Sequence, residues 1–175
     1  MAEYYTFENL ECWRQAKDLA LDVHRFSATG SLNGDEVMGE QLRQSALRVM
    51  SRIAEGKSRG SGTEFIYYLK LAKASAAALQ SSLILSRDIG YLGEGDFLDL
   101  QDRTNRVSAL VGGLINAIKR GQKERKEAKT DAKRAESIVG NVAADGAPAE
   151  GAPAVAEVHE DGPDGAQEPA ESVPF

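Results

Sequence analysis

The residues with the clearest chemical potential in this sequence are basic and lie in one stretch. Between residues 43 and 73, seven Lys and Arg side chains face only two acids, Glu55 and Glu64, a net charge of +5. The seven are Arg43, Arg48, Arg52, Lys57, Arg59, Lys70 and Lys73. Cationic side chains at this density suit phosphate backbones, and such binding weakens as salt rises. The stretch therefore predicts a nucleic-acid-binding face, with RNA and DNA both open as ligands.

The arrangement of these residues supports that prediction but leaves a second one open. Arg48 and Arg52 lie one helical turn apart and share a face. Lys57 and Arg59 precede a predicted helix, whose free backbone N–H groups favour an anion. If the basic side chains instead pair with acids at subunit interfaces, the protein is a purely structural protein–protein interaction module. A surface charge map of the assembled protein separates the two hypotheses.

The sequence offers little to an enzyme. His24 and Cys12 are the only residues of their types before residue 140, and neither has a partner at metal-ligand spacing. Lys57 follows Gly56 as in a phosphate-binding loop, but Ser51 stands where that loop requires its first glycine. We therefore expect a non-enzymatic protein with no catalytic residue, no metal and no cofactor.

Four amphipathic segments must position the basic residues. Their apolar side chains recur at steps of three and four, and no stretch alternates with period two. The predicted helices span residues 9–27, 35–55, 62–89 and 96–120, with start signals at Asn9, at Asn33 with Glu36, at Ser61 with Glu64, and at Asp96. The connecting loops are shorter than ten residues. This pattern predicts an all-α, up-down-up-down antiparallel four-helix bundle with a disordered C-terminal tail.

The predicted core is modest in bulk because many stripe positions hold alanine. The stripes comprise Trp13, Ala16, Leu19, Ala20, Val23 and Phe26 in the first helix, Leu42, Ala46, Val49 and Ile53 in the second, Phe65, Leu69, Ala72, Ala76, Leu79 and Leu83 in the third, and Leu100, Thr104, Val107, Val111, Leu114 and Ile118 in the fourth. Bundles of this kind often bury a further face by self-association, so we expect a homo-oligomer.

Glycines give further expectations about the helices. Gly56 and Gly90 are expected to end the second and third helices. Gly112 and Gly113 lie inside the fourth, where each costs about 1 kcal/mol. We expect a tight contact with a neighbouring helix to compensate for that cost.

Charge divides the chain into three parts. Residues 1–120 hold 15 basic and 15 acidic side chains, residues 121–139 hold 6 and 4, and residues 140–175 hold 8 acids and no base. The net charge of −6 is therefore a property of the end of the chain. We predict a bundle over residues 1–125, a charged helical extension over 126–139, and a disordered, acidic, Ala/Gly/Pro/Glu-rich tail over 140–175.

The start of the chain has neither the basic region nor the apolar core of a signal peptide. No apolar run approaches the roughly 20 residues of a membrane span. We therefore expect a cytoplasmic protein without a membrane partner.

Four pieces of the sequence resemble a known bacterial family, the S23 ribosomal proteins encoded by intervening sequences within 23S ribosomal RNA genes. The similar pieces are Phe7–Ala16, Ile53–Gly56, the set Arg59, Glu64, Phe65, Tyr68, Leu69, Ala72, Lys73 and Ser75, and Ile89–Leu92. The resemblance covers about residues 5–120. The sequence departs from the family pattern at Gln44-Ser45, at Val49-Met50, at Arg52, and near Ala74 and Ala78.

The resemblance implies a four-helix bundle that assembles into a ring-like homopentamer. In one branch, the accessory variability proteins of diversity-generating retroelements, the bundle binds a reverse transcriptase and nucleic acid through a basic surface. The arginines of the second helix are similar to that branch. The function hypothesis is therefore a homo-oligomeric scaffold that binds nucleic acid, with a reverse transcriptase as a candidate partner.

Overall fold

Helices account for nearly all of the chain that the structure, a computed structural model, describes: residues 6–28, 32 and 34–144. Within these residues lie four α-helices and no β-strand. The helices are α1 (Glu11–Ser27), α2 (Glu36–Ser58), α3 (Gly62–Ile89) and α4 (Glu94–Ala144), and a 3-10 turn at Phe7–Asn9 precedes them. The predicted all-α class is confirmed.

The chain divides into two compact units. The first, Met1–Lys133, holds α1, α2, α3 and most of α4. The second is Arg134–Phe175, and the structure describes its residues 134–144, which are helical.

Contacts between neighbouring helices show how the bundle closes. Each pair of neighbouring helices is in contact. Ser27 contacts Arg43, Gly56 lies against the Tyr68 side chain, Gln80 contacts Asn105, and Asp22 contacts Arg103. The order around the bundle is therefore α1, α2, α3, α4 and back to α1. This ring order is that of an up-down-up-down four-helix bundle.

The pairing of α3 with α4 shows that neighbouring helices are antiparallel. Gln122 lies beside Gly62 at the start of α3, while Asn105 accepts a hydrogen bond from Gln80 further along α3. Residue numbers thus rise along one helix as they fall along the other. The predicted antiparallel bundle is confirmed.

The core follows the predicted stripes in α2 and α3 completely, and in the other two helices with a small rotation. In α1 the buried positions include Cys12 and Ser27, whereas Trp13, Ala20 and Phe26 are only half-buried. In α4, Ile115 is buried, and Leu114 and Ile118 are half-buried beside it. Adjacent residues point about 100° apart on a helix. Because only some positions of each stripe move by one residue, the buried face of each helix is turned from the predicted one by part of this angle.

The helix starts differ from the predicted caps. The carboxylate of Asp35 caps α2 by accepting a hydrogen bond from the Met38 N–H at 3.0 Å. Asn33 lies outside the described residues. Ser61 occupies the N-cap position of α3, but its side chain makes no capping hydrogen bond. The predicted capping box is wrong at this helix, and Glu64 instead pairs with Arg59.

The other two predicted starts are also displaced. Asn9 belongs to the 3-10 turn, and Leu10, which has no side-chain acceptor, takes the N-cap position of α1. Helix α4 begins at Glu94, two residues before Asp96.

Gly56 does not end α2, contrary to expectation. The helix continues to Ser58, and the turn that follows contains Gly60 at φ +74°. A Cβ at Gly56 would lie 2.6 Å from the Tyr68 Cβ and 2.9 Å from the Phe65 Cδ2. Gly56 therefore allows α2 and α3 to approach closely.

Gly90 does end α3, as predicted. It adopts the left-handed conformation at φ +90°. Its N–H donates to the Arg87 carbonyl, and the Tyr91 N–H donates to the Ser86 carbonyl, both at 2.9 Å. These bonds satisfy carbonyls that the end of a helix leaves free.

The prediction of a tight helix contact at Gly112 and Gly113 is wrong. The nearest atom to a Cβ built at Gly112 is the Lys73 Nζ at 3.7 Å, and nothing lies within 4 Å of one built at Gly113. Within the described residues, these two glycines therefore gain no compensating helix packing.

Helix α4 continues without a break through the predicted helical extension. The bundle helix was expected to end near Arg120 and a charged helical extension to cover residues 126–139, and the structure has one helix that runs to Ala144. Residues 140–144, which were assigned to the disordered tail, are therefore helical. The rest of that segment, residues 145–175, lies outside the described residues.

None of the helices described here has a stretch apolar and long enough to cross a membrane.

Candidate nucleic-acid interface

Two of the predicted basic residues, Arg48 and Arg52, line the groove between α2 and α3. The groove has a volume of about 400 Å³ and is lined by Ser45, Arg48, Arg52, Leu71, Ala74, Ser75 and Ala78. Two arginines from α2 form one wall, and small side chains from α3 form the other. The small residues leave the guanidinium groups open to a ligand in the groove.

The partners of these two arginines are weakly held. Arg48 donates from its Nη2 to the Gln44 Oε1 at 3.0 Å, and Arg52 pairs with Glu55 at 2.9 Å. Both pairs are exposed, and exposed pairs contribute less than about 1 kcal/mol. A phosphate can therefore replace either partner at small cost.

Arg59, a third predicted residue, lies beside Tyr68 at the end of the same surface. The Arg59 guanidinium lies 4.8 Å from the Tyr68 ring centroid, and that of Arg52 lies 5.9 Å from it. Arg59 also pairs with Glu64 at 3.7 Å. Cation–π contacts of this kind hold the guanidinium groups at the end of the groove without neutralising their charge.

Tyr67 presents an aromatic ring to solvent beside these arginines. Its side chain is 59% exposed, and its ring stands perpendicular to that of Tyr68 with the centroids 5.5 Å apart. On α3 it lies one helical turn from Leu71 in the groove. An exposed ring next to cations is a surface on which an unpaired base can stack.

The other four predicted residues lie on different surfaces. Arg43 is on the α1 side, where its Nη1 donates to the Ser27 Oγ at 3.1 Å. Lys73 is on the α4 side, beside Gly112. Lys70 is exposed on the outer face of α3, and Lys57 is half-buried at the end of α2. The seven residues thus form one cluster of three and four separate positions.

The register of the bundle adds basic residues that the sequence analysis did not assign to the site. Residues 6–17, 48–73 and 112–133 lie in one half of the bundle and together hold 15 basic and 7 acidic side chains, a net of +8. Residues 18–47 and 74–111 lie in the other half and hold 5 and 10, a net of −5. The bundle is therefore strongly polarised along its axis, with the groove arginines in the basic half.

Much of the excess positive charge comes from α4 after Ile118. Seven basic side chains lie between Ile118 and Arg134: Lys119, Arg120, Lys123, Arg125, Lys126, Lys129 and Lys133. The sequence predicts only a charged helical extension over residues 126–139. The spacing of its lysines was visible in the sequence, but its place beside the α2–α3 turn follows only from the fold.

Cys12 is buried, and this makes it a poor nucleophile. Burial, with a smaller contribution from the nearby Glu11 carboxylate, raises the pKa of its thiol from 9.0 to about 11. Backbone N–H groups at the start of α1 act in the opposite direction but do not prevail. His24 is exposed. Across residues 6–28, 32 and 34–136, no three His, Cys, Asp or Glu side chains converge as a metal site would need.

A second groove, between α1 and α2, is larger, and its charged side chains balance: Lys17 and Arg43 against Glu36 and Glu40. It has a volume of about 670 Å³ and is flanked by Leu21 and Leu47, which are 47% and 52% exposed. Its mixed charges make it a weaker candidate for a phosphate ligand than the α2–α3 groove.

Comparison with solved structures finds a similar fold in a protein of unknown function from the S23 ribosomal protein family of Bacteroides thetaiotaomicron. The identity is 18% and the TM-score 0.55, over 59% of this chain and 97% of that one. A likeness at this identity concerns the fold alone. A search among curated proteins found no match.

Comparison with family models gives the decisive result. Residues 8–113, more than half of the chain, match the model described as 23S rRNA-intervening sequence protein. The matched segment begins in the 3-10 turn, includes α1, α2 and α3, and ends within α4. The resemblance found in the sequence is thereby confirmed, and the chain belongs to the 23S rRNA-intervening sequence protein family.

Proposed function

We propose that this protein is a non-enzymatic, homo-oligomeric scaffold that binds nucleic acid through the α2–α3 groove. The observation that carries the proposal is the meeting of Arg48, Arg52 and Arg59 on one open surface. Arg48 and Arg52 lie one turn apart on α2 and line the groove, and Arg59, in the turn after α2, contacts the same Tyr68 ring as Arg52. Guanidinium groups are well suited to phosphate because they present several donors in a planar fork.

The polarity of the bundle supports the same proposal. A basic half with a net charge of +8 attracts a polyanion and orients it before contact. The acidic half repels it. A nucleic acid would therefore dock at the end of the bundle that contains the groove.

Tyr67 favours a single strand over a duplex. Its exposed ring lies beside the groove arginines, and stacking of a base on an aromatic side chain contributes about 1–3 kcal/mol. In a duplex the bases are already stacked on each other, so the ring would gain little.

The test is a variant in which Arg48, Arg52 and Arg59 are all replaced by Gln. We expect its affinity for single-stranded RNA or DNA to fall by at least tenfold, because three phosphate contacts are lost. The slope of log affinity against log salt should fall in magnitude by about 2, since each contact contributes roughly 0.7 on a single strand. Fluorescence anisotropy at several salt concentrations measures both quantities.

The matched control removes three arginines from the acidic half of the bundle. Arg25, Arg87 and Arg106 each pair with an acid of their own helix. Their replacement by Gln changes the net charge equally and should leave the affinity within about twofold of the wild type. Equal loss in both variants, or no loss in the groove variant at low salt, contradicts the proposal.

Self-association belongs to the same proposal. Support comes from apolar side chains on the surface of this chain, among them Leu21, Leu47, Leu85 and Ile89. A ring of five subunits is what the family resemblance implies, and it would repeat each groove five times and multiply a weak affinity. The same resemblance makes a reverse transcriptase a candidate partner, to be tested by co-purification of the two proteins.

The second candidate function is a protein–protein interaction module without a nucleic-acid role. The exposed leucines beside the α1–α2 groove favour it. The variant with Arg48, Arg52 and Arg59 replaced by Gln, the groove variant, separates the two candidates. It should lose nucleic-acid binding under the first candidate and keep its protein partners under the second.

A further inference from the structure

Helix α4 continues past the other helices of the bundle. We call its residues 119–133 the arm; the arm begins within the last turn of the bundle and passes its end near Gln122. A Cβ at Gly62 would lie 2.7 Å from the Gln122 Nε2, so Gln122 is level with the first residue of α3. Every residue from Gln122 to Lys133 is exposed. The segment from Lys123 to Lys133 rises about 15 Å along the helix axis.

Four lysines of the arm lie on one face of the helix. Lys119, Lys123, Lys126 and Lys133 recur at steps of four, three and seven, which places them in one stripe. The acids Glu124, Glu127 and Asp131 recur at steps of three and four on the next face, where Arg120 also lies, and Arg125 and Lys129 lie on the other side of the stripe. Thr130 lies within the lysine stripe, and its hydroxyl donates to the Lys126 carbonyl at 2.9 Å.

This sorting does not serve the helix itself. Like charges three or four residues apart destabilise a helix by about 0.2–0.5 kcal/mol per pair. The arm has one ion pair among its described side chains, Lys123 with Glu127 at 3.7 Å. A helix without packing against neighbours gains most from alternating charges, so the lysine stripe points to an external anion.

The stripe faces the same side as the α2–α3 turn. Lys119, Lys126 and Lys133 lie three, four and eleven residues from Gln122, which keeps them within about 60° of its direction, whereas Lys123 lies about 100° round the helix, at the far edge of the stripe. Gln122 itself contacts the start of α3. The stripe and the end of the bundle thus form an inside corner, and the turn that contains Arg59 lies at this end.

We infer that the lysine stripe of the arm binds the phosphate backbone of the nucleic acid that the groove holds, as a continuation of the same site. This inference rests on the proposed function. Lysine provides charge without the geometry needed to read bases, so the arm adds affinity and not sequence preference. The stripe has no apolar side chain, whereas a protein interface has an apolar centre. The chemistry therefore favours a polyanion over a protein partner.

The test replaces Lys123, Lys126 and Lys133 by Gln in the full chain. For a single strand we expect the slope of log affinity against log salt to fall in magnitude by about 2, and the affinity near 0.15 M salt to fall on the order of fiftyfold. Single strands of RNA and DNA of equal length and base order should lose equally, because the contacts are to phosphate. Circular dichroism checks that the helix content is unchanged.

Two comparisons make the test decisive. The Arg25, Arg87 and Arg106 triple variant controls for net charge and should retain the wild-type slope. The groove variant separates this inference from the proposed function. If the groove variant loses binding and the arm variant does not, the arm is not part of the site and the inference is overturned, while the proposed function stands.

The remaining outcomes are equally clear. If the arm variant loses binding and the groove variant does not, the arm is upheld as a phosphate site and the proposed role of the groove fails. If the wild type binds no nucleic acid, both proposals fail. If the arm variant keeps its affinity but changes the subunit number, the stripe serves a protein contact and the inference is overturned.

Discussion

At the scale of single residues, Cys12 shows how the fold alters ordinary chemistry. It is the second residue of α1, where backbone N–H groups usually favour a thiolate. Burial outweighs them and raises the pKa of the thiol to about 11. The residue therefore acts as a small apolar side chain of the core.

The shifted pKa makes a prediction about stability at alkaline pH. In the unfolded chain Cys12 loses its proton near its ordinary pKa of 9.0, whereas in the folded chain it keeps it until about pH 11. The unfolded state then binds fewer protons, so the free energy of unfolding falls as pH rises between 9 and 11, by about 1–3 kcal/mol in total. Below pH 9 this contribution is constant.

Urea unfolding at pH 8 and pH 10.5 measures the effect, with Cys12→Ala as the control. The pH-dependent change in the free energy of unfolding is measured for both chains, and the difference between them removes the contribution of tyrosines and lysines, which both chains share. The wild type should lose more stability than the variant over this range. Parallel losses in the two chains would show that the thiol does not titrate differently on folding.

At the scale of helices, two glycines inside helices have opposite roles. Gly56 lies where α2 and α3 approach, with no space for a Cβ beside Tyr68. Gly113 lies on α4 with open space around it. The same substitution should therefore change stability in opposite directions.

We expect Gly56→Ala to lower the free energy of unfolding by about 1–3 kcal/mol, because the Tyr68 Cβ is too near its backbone to move aside. Gly113→Ala should raise it by about 0.5–1 kcal/mol, since alanine favours the helix and meets nothing. Chemical unfolding of both variants tests the pair. A destabilised Gly113→Ala chain would mean that another surface covers this position in the assembled protein.

At the scale of the whole molecule, the subunit number is the property on which the strength of binding depends most. The proposed ring predicts a mass about five times the 18.8 kDa of one chain in sedimentation equilibrium. It also predicts that affinity for a long single strand greatly exceeds that for a strand spanning one groove, because one strand can engage several grooves. A mass of one chain, at concentrations where the protein binds nucleic acid, would contradict the ring.

Much of the fold could be predicted because helix periodicity is a local property. The stripes of α2 and α3 were correct at every position, and Gly90 ended α3 as expected. The caps were less predictable: Asp35 caps α2 with its side chain, whereas Ser61 stands at the N-cap of α3 and makes no capping hydrogen bond. The helical extension of α4 was predicted, but its last residues, 140–144, were missed because no apolar stripe marks them.

The candidate site was only partly predictable, for a reason of geometry. Arg43 and Arg48 are five residues apart, which is about 140° round a helix. They therefore face different neighbours, α1 and α3, and share no surface. Proximity along the chain identified a basic region but not the members of one site.

The sequence by itself determined that this chain forms four helices, which residues of α2 and α3 form their buried stripes, and that positive charge is concentrated around residues 43–73, since each of these depends on composition and spacing within a segment. Only the tertiary structure decided which basic residues meet across helices. The packing of α3 on α2 places Tyr68 beside Arg52 and Arg59, and the register of α3 against α4 sets Gln122 beside Gly62. Those placements depend on contacts between segments far apart in the chain, which no local pattern encodes.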